Sequence, residues 1–246
     1  MSHDSVRRST GGLEGVRADL RSQGYALTSD EALGFPRGHR ENFSLRYYNP
    51  ETLRHDPGDF PVDRERARDV IRYWWDDEAL GLDTHDRITI TDRAGIPGAR
   101  EHSRVLLLKD PEAKQLISTL LQLVPRDRRQ AEGTFGVNLF RTYTNVVTTP
   151  HHDDEEFVIL YILDRIGDGA ETSLYQPEDV AEDGTVLAEP VLTQQLNPGD
   201  IFIFDDSVFK HGTTPLVSPP GGTARRDALV GTIDSRRTYL EPPSAN

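Results

Sequence analysis

The stretch His151-His152-Asp153-Asp154-Glu155-Glu156-Phe157-Val158-Ile159-Leu160-Tyr161-Ile162-Leu163 decides how the second half of the chain is read. A polar, acidic hexapeptide runs straight into seven apolar residues rich in β-branched and aromatic side chains, a composition that favours a strand. Similar short runs surround it: Thr134 to Tyr143, Thr172 to Tyr175, Val191 to Leu196, Ile201 to Phe204 and Ala228 to Ile233. Gly, Pro and Asp turns separate them, among them Asn197-Pro198-Gly199-Asp200. Short strands at this spacing point to a sandwich or barrel, not to a parallel βαβ sheet.

Residues 1–130 read differently. Leu13 to Ser22 is a short amphipathic helix ending near Gly24. Arg64 to Trp75 is expected as a second helix, with Val70, Ile71, Trp74 and Trp75 on one side and the Trp pair serving as packing. Pro111 to Leu123 is a third, with Asp110 as N-cap, Pro111 at N1 and an apolar stripe of Leu116, Ile117, Leu120, Leu121 and Val124. A strand is expected over Ser103 to Leu108, with His102 and Arg104 beside it at the surface. The expected fold is therefore α+β. A jelly-roll core over residues 131–240 is backed by helical support over residues 1–130, within one domain spanning 1–246.

Composition narrows the function. The 246 residues carry a formal net charge of −13, which repels phosphate backbones and disfavours a nucleic-acid partner. No stretch nears the roughly 18–20 apolar residues needed to span a membrane. The polar start of the chain has no apolar signal segment, so a cytoplasmic location is expected. With no cysteine, a metal must be held by His and carboxylate, and a small-molecule substrate fits the charge.

His-x-Asp before an apolar strand supplies such ligands. Residues i and i+2 of an extended segment point the same way, so both groups face one ion, and a distant strand can add a third. His211, in Phe209-Lys210-His211-Gly212-Thr213, is the candidate. Two imidazoles and one carboxylate suit a non-haem Fe(II) site with open positions. By spacing alone the frame is open, since His152-x-Asp154 fits as well as His151-x-Asp153. Arg226 opens Arg226-Asp227-Ala228-Leu229-Val230, where alternation sets it on the face of Ala228 and Val230. A planar guanidinium in such small-residue surroundings suits bidentate recognition of a carboxylate. Arg225 is then the surface neighbour.

These segments in this order resemble the double-stranded β-helix, or cupin-like, core of the Fe(II)/2-oxoglutarate dioxygenases over residues 134–234. Asn138-Leu139-Phe140-Arg141-Thr142-Tyr143 followed by His151-His152-Asp153 and Glu156-Phe157-Val158 is similar to the bacterial branch that contains the free L-isoleucine hydroxylases. Anchoring on Phe157-Val158 selects His151 and Asp153. Asp206 to Leu216 resembles the distal His motif, and Arg226 to Val230 the 2-oxoglutarate arginine strand. Two departures stand out: Asp154 where the family often has Gly, and Gly169-Ala170-Glu171 where it often has Gly-Gly-Glu.

The resemblance implies iron on His151, Asp153 and His211, 2-oxoglutarate chelated to it with Arg226 on the distal carboxylate, and O2 as oxidant. Oxidation of an unactivated C–H bond would accompany decarboxylation to succinate and CO2. Asp153 speaks against a halogenase, which needs that position vacant. If Tyr143 points into the barrel so does Arg141; Tyr143 then supports 2-oxoglutarate and Arg141 takes a substrate carboxylate. Glu156 is the candidate acceptor for a substrate ammonium, and His152 a surface or supporting residue. The expected substrate is a free amino acid or derivative, most simply hydroxylated. Desaturation or oxidative cyclisation by the same cofactors is the alternative, and a non-catalytic cupin-like metal-binding module is the rival from another class.

Overall fold

The computed structural model describes residues 7–55, 64–85, 104–143 and 148–233. In chain order the elements are α1 (Gly12–Gln23), β1 (Tyr25–Ser29), α2 (His39–Tyr47), β2 (Arg54–His55), β3 (Arg64–Asp76), β4 (Ala79–Thr84) and α3 (Pro111–Leu121). There follow β5 (Glu132–Thr142), β6 (Thr148–His151), β7 (Phe157–Ile166), β8 (Asp168–Gly169), β9 (Glu171–Tyr175), β10 (Leu192–Gln195), β11 (Asp200–Asp205), β12 (Lys210–Thr213), β13 (Leu216–Val217) and β14 (Arg225–Ile233).

An eight-stranded sheet runs β1-β11-β7-β14-β5-β3-β2, with β4 paired to β3; a four-stranded sheet runs β10-β9-β12-β6. The large sheet is covered on both faces, which is why β7 is apolar over its first seven residues. Val158, Leu160 and Ile162 join Phe202, Phe204 and Ala228 in a core closed by Leu174, Leu192 and Phe209 from the small sheet's side. Ile159, Tyr161 and Leu163 face the other way, into a core built with Val16, Phe43, Leu116, Ile117 and Leu120 of the three helices. This is a jelly-roll core backed by helices, as expected. Both strand faces are obliged to be apolar because each buried aliphatic or aromatic side chain contributes roughly 1.5–3 kcal/mol.

The helices at 12–23 and 111–121 follow their sequence signals. Gly24 ends α1 at φ 79°, its N–H donating to the Leu20 carbonyl, a left-handed cap that glycine adopts without penalty. Asp110 caps α3 through its side chain, accepting from the N–H groups of Glu112 and Ala113.

Residues 64–75 do not form the expected helix; they are all but the last residue of the 13-residue strand β3, paired to β5 from Arg64↔Thr142 to Trp74↔Glu132. Their period is two. Ala67, Ile71 and Tyr73 enter the core beside the helices, while Arg64, Arg66 and Arg68 take the alternate positions. Val70, Ile71, Trp74 and Trp75 mimic a helical stripe, but a Val-Ile-Arg-Tyr-Trp-Trp run has strong β preference, and pairing on both edges settles the matter. Trp74 is 45 % exposed, whereas Trp75 stacks under Arg129 at 3.9 Å. The first half of the chain thus contributes strands as well as helices. The strand expected over residues 103–108 is reduced to a bridge of Arg104 with Arg68, followed by a 3-10 turn from Leu107; His102 lies outside the described residues.

Asp69 fastens that turn to β3. It is 1 % exposed and accepts from the N–H of Leu107 at 2.8 Å and of Val70 at 2.9 Å. Burial pushes its carboxyl up to about 6 against those two bonds. Because the folded-state value is raised, the stability this group contributes is full below its unfolded value near 4 and is lost as pH rises through about 6. The stability of the wild type relative to Asp69→Asn is therefore expected to fall by roughly 3 kcal/mol between pH 4 and pH 7 in urea unfolding. A difference independent of pH would remove Asp69 as the cause.

Candidate active site

His151 ends β6 and His211 lies on β12; the two are a register pair in the small sheet. Asp153 follows two residues after His151. One ligand atom from each of His151, Asp153 and His211 lies within 4.8 Å of the others. The His151 and His211 Nε2 atoms stand 3.4 and 3.6 Å from the two Asp153 carboxylate oxygens. Cis ligands of an octahedral ion at ordinary bond lengths stand about 3 Å apart, so a small inward adjustment completes the set. The alternative pair is not assembled: His152 turns its Nδ1 to the Asp206 carbonyl.

Asp206 organises this centre, and nothing in sequence singled it out. It is 1 % exposed. Its Oδ1 accepts from His211 Nδ1 at 3.2 Å, which leaves Nε2 as the lone-pair nitrogen facing the site. Its Oδ2 accepts from the N–H groups of Asp153 at 2.8 Å and Glu155 at 3.2 Å. One carboxylate thus orients two of the three ligands, and the signal for it, an Asp five residues before the distal His, is visible only once the loops meet. The His151 Nδ1 bonds the Thr149 carbonyl at 2.8 Å, with the same consequence for its Nε2.

Both sequence departures occupy left-handed backbone. Asp154 has φ 63° and Ala170 φ 50°, where the related pattern has glycine. Asp tolerates this region moderately well and Ala less so. Both turns therefore carry the strain of that region.

The His211 ring packs on Phe204 at 4.9 Å, and Phe204 belongs to the core between the two sheets. Arg226 opens toward the same space, since it shares a face with Ala228 and, in part, Val230. Its cross-strand partners are Thr142 on β5 and Arg165 on β7. Arg226 Nε is shielded from solvent and has no hydrogen-bond partner, and the same holds for Arg165 Nε. Burial, and then the neighbouring charge of Arg165, lower the Arg226 pKa to about 10. A guanidinium whose shielded Nε lacks a partner fits, in that position, a bound carboxylate.

Arg141 and Tyr143 are placed elsewhere than expected. Leu139, two residues before Arg141, lies in the core beside the helices, so alternation turns Arg141 and Tyr143 to that face, away from Arg226. Arg141 forms a fork on Asp227 at 2.8 and 2.7 Å and donates to the Tyr48 carbonyl at 3.0 Å. The Asp227 hydrogen bond is the main cause that raises its pKa. Tyr143 donates to Glu65 at 3.1 Å, and burial and then Glu65 raise its pKa. The Glu156 carboxylate lies 3.7 Å from Arg128 and 3.5 Å from the Gln130 amide. The inward residues of β5 are instead Asn138, Phe140 and Thr142, aligned with Arg68, Arg66 and Arg64 of β3. Arg68 bonds Asn138, Arg64 lies over Phe140 at 4.5 Å, and Arg66 is 6 % exposed. Reading β3 as a helix concealed these three, although arginine at every second position was the available signal.

Fold and side-chain geometry together define a jelly-roll protein with two histidines and one carboxylate placed where they could hold a metal ion. The sequence profile described as 2OG-Fe dioxygenase matches residues 99–232, more than half of the chain, and the chain belongs to that family. It is a 2-oxoglutarate-dependent non-haem iron dioxygenase, with Fe(II), 2-oxoglutarate and O2 as its cofactors.

Three solved structures are similar to it in fold. A bsmA homolog from Methylobium petroleophilum PM1 aligns over 98% of this chain and 100% of its own, with a TM-score of 0.74 and 21% identity. IDO from Bacillus thuringiensis aligns over 94% and 100%, with 0.69 and 19%. The Fe(II)/(alpha)ketoglutarate-dependent dioxygenase TqaL aligns over 93% and 92%, with 0.65 and 15%. No curated protein sequence matches the chain. Among the described residues, no helix is long and apolar enough to cross a membrane.

Two substitutions test the geometry. Asp206→Ala is expected to weaken Fe(II) binding about 10- to 100-fold in anaerobic titration, as loss of an orienting carboxylate does at other metal sites; unchanged affinity would show that His211 and Asp153 hold their positions without it. Arg141→Ala is expected to cost about 3–5 kcal/mol of stability, because Asp227 stays buried without its fork. A variant that melts like the wild type would deny the pair that role.

Proposed function

We propose that the chain oxidises an unactivated C–H bond of a free amino acid or amino-acid derivative, with His151, Asp153 and His211 holding the iron and Arg226 the distal carboxylate of 2-oxoglutarate. The observation that carries the reading is the convergence of those three ligands on the side of the sheet that also bears Arg226. When bound, the iron and 2-oxoglutarate supply an oxidant strong enough for an aliphatic C–H bond. The chain's own part is to fix positions and exclude water. Phe204 packs on the His211 imidazole and Asp206 keeps that ring turned, while the Thr149 carbonyl orients His151.

A small zwitterion as substrate is supported by the guanidiniums of β3. Arg64, Arg66 and Arg68 stand in register with Thr142, Phe140 and Asn138 on the strand next to the one carrying Arg226, and they replace Arg141 as the candidate anchors for its carboxylate. The net charge of −13 is unfavourable to polyanions and indifferent to a zwitterion. Hydroxylation is the simplest outcome, and desaturation or cyclisation uses the same residues.

The deciding experiment is an oxygen-dependent succinate assay against a panel of free amino acids, with product mass to separate gain of one oxygen from loss of two hydrogens. At least one aliphatic member is expected to stimulate succinate formation; a panel in which none does would exclude the substrate class. In the same assay His151→Ala, Asp153→Ala and His211→Ala are expected to lose iron and activity while His152→Ala keeps most of both. Arg226→Lys is expected to raise the 2-oxoglutarate KM, since loss of a buried carboxylate's fork costs roughly 2–5 kcal/mol. If that effect came from Arg225→Lys instead, the cosubstrate role would pass to Arg225.

A further inference from the structure

Arg165 has no part in the reading so far, yet it stands directly across from Arg226 on β7 and β14. Residues paired across antiparallel strands share a face with Cβ atoms about 5 Å apart, and like charges so placed destabilise a sheet. Water does not relieve this pair in full. The Nε of each is shielded and lacks a hydrogen bond. Burial lowers the Arg165 pKa, as it lowers that of Arg226. Asp168 and Glu171 act on Arg165 only through space, and among the described residues neither arginine has a carboxylate at ion-pair distance.

The opposite face of the same two strands is different. There Arg225 pairs with Asp164, and Asp227 with Arg141 of the neighbouring β5. A chain with 41 acidic residues against 28 basic ones matches its arginines with acids on one face and leaves two adjacent guanidiniums unmatched on the other.

We propose that Arg165 and Arg226 together form a two-guanidinium clamp for the distal carboxylate of 2-oxoglutarate. A carboxylate offers about four lone-pair positions; a fork from Arg226 takes two, and Arg165 takes those that remain. The bound anion then cancels the repulsion that the empty pair carries. This rests on the cosubstrate reading above and adds to it a second specificity-determining residue.

The test is calorimetric titration of the full chain loaded with Mn(II) under anaerobic conditions, with 2-oxoglutarate and with glutarate. Glutarate lacks the keto group and reports the clamp without the chelate. Arg165→Gln is expected to weaken both ligands about tenfold or more, the cost of one charge-assisted hydrogen bond, with Mn(II) affinity unchanged. If Arg165→Gln binds both like the wild type while Arg226→Gln does not, the clamp is overturned and the single-arginine reading stands. If Arg226→Gln also binds like the wild type, both fall. Should Arg165→Gln not fold, Arg165→Lys decides: a several-fold loss supports the clamp, because the charge stays and the planar donors go, and wild-type affinity overturns it.

Discussion

The large sheet is buried on both faces, and its side chains alternate with a period of two; almost everything at the site depends on that constraint. A one-residue slip of β7 would carry Val158, Leu160 and Ile162 from the inter-sheet core to the helix side and bring Ile159, Tyr161 and Leu163 inward. Because both sets are apolar, the first seven residues of β7 would by themselves tolerate such a slip. Its neighbours would not. β14 carries Arg226 on one side and Asp227 on the other, and β5 carries Thr142 and Arg141 likewise. Register across β5, β14 and β7 therefore sorts the charges as well as the apolar surface.

That sorting yields two different electrostatic surfaces from adjacent residues. On the helix side, Arg141, Asp227, Arg225 and Asp164 neutralise one another, so the buried Asp227 carboxylate has cationic partners while Arg225 and Asp164 stay partly in solvent. On the inner side Arg165 and Arg226 share a row without a matching acid among the described residues; beyond Thr142, Arg64 of β3 stands next in register. The register shift between Asp227 and Ala228 sits where this row begins. It puts one extra β7 residue opposite β14, a bulge that brings Arg165 into line with Arg226.

On the metal side the organising element is one carboxylate. Asp206 reaches across from the end of β11 to the loop after β6, taking the N–H groups of Asp153 and Glu155 and the imidazole of His211. The loop can present Asp153 because Asp154 turns the chain at φ 63°. The strain there is small, of the order of 1–2 kcal/mol, and it is borne next to the ligand whose position it sets.

The sequence by itself determined what is local or ordered along the chain. The jelly-roll strands from residue 134 onward, the caps at Gly24 and Asp110, and the candidate ligand trio His151, Asp153 and His211, which the fold brings together, were legible, because period, turn chemistry and residue type act over a few positions. Tertiary structure alone decided which face of each strand looks inward. A period of two assigns residues to two faces but does not say which is the interior, so Arg141 and Tyr143 were expected inward when Phe140 and Thr142 hold that side. It also decided β3, where four apolar residues satisfied a helical stripe and only pairing with β5 made the alternating arginines visible. Asp206 and Arg165 were beyond reach for the same reason: each acts through a partner on another strand or loop, and pairing between distant segments is set by the packing of whole sheets.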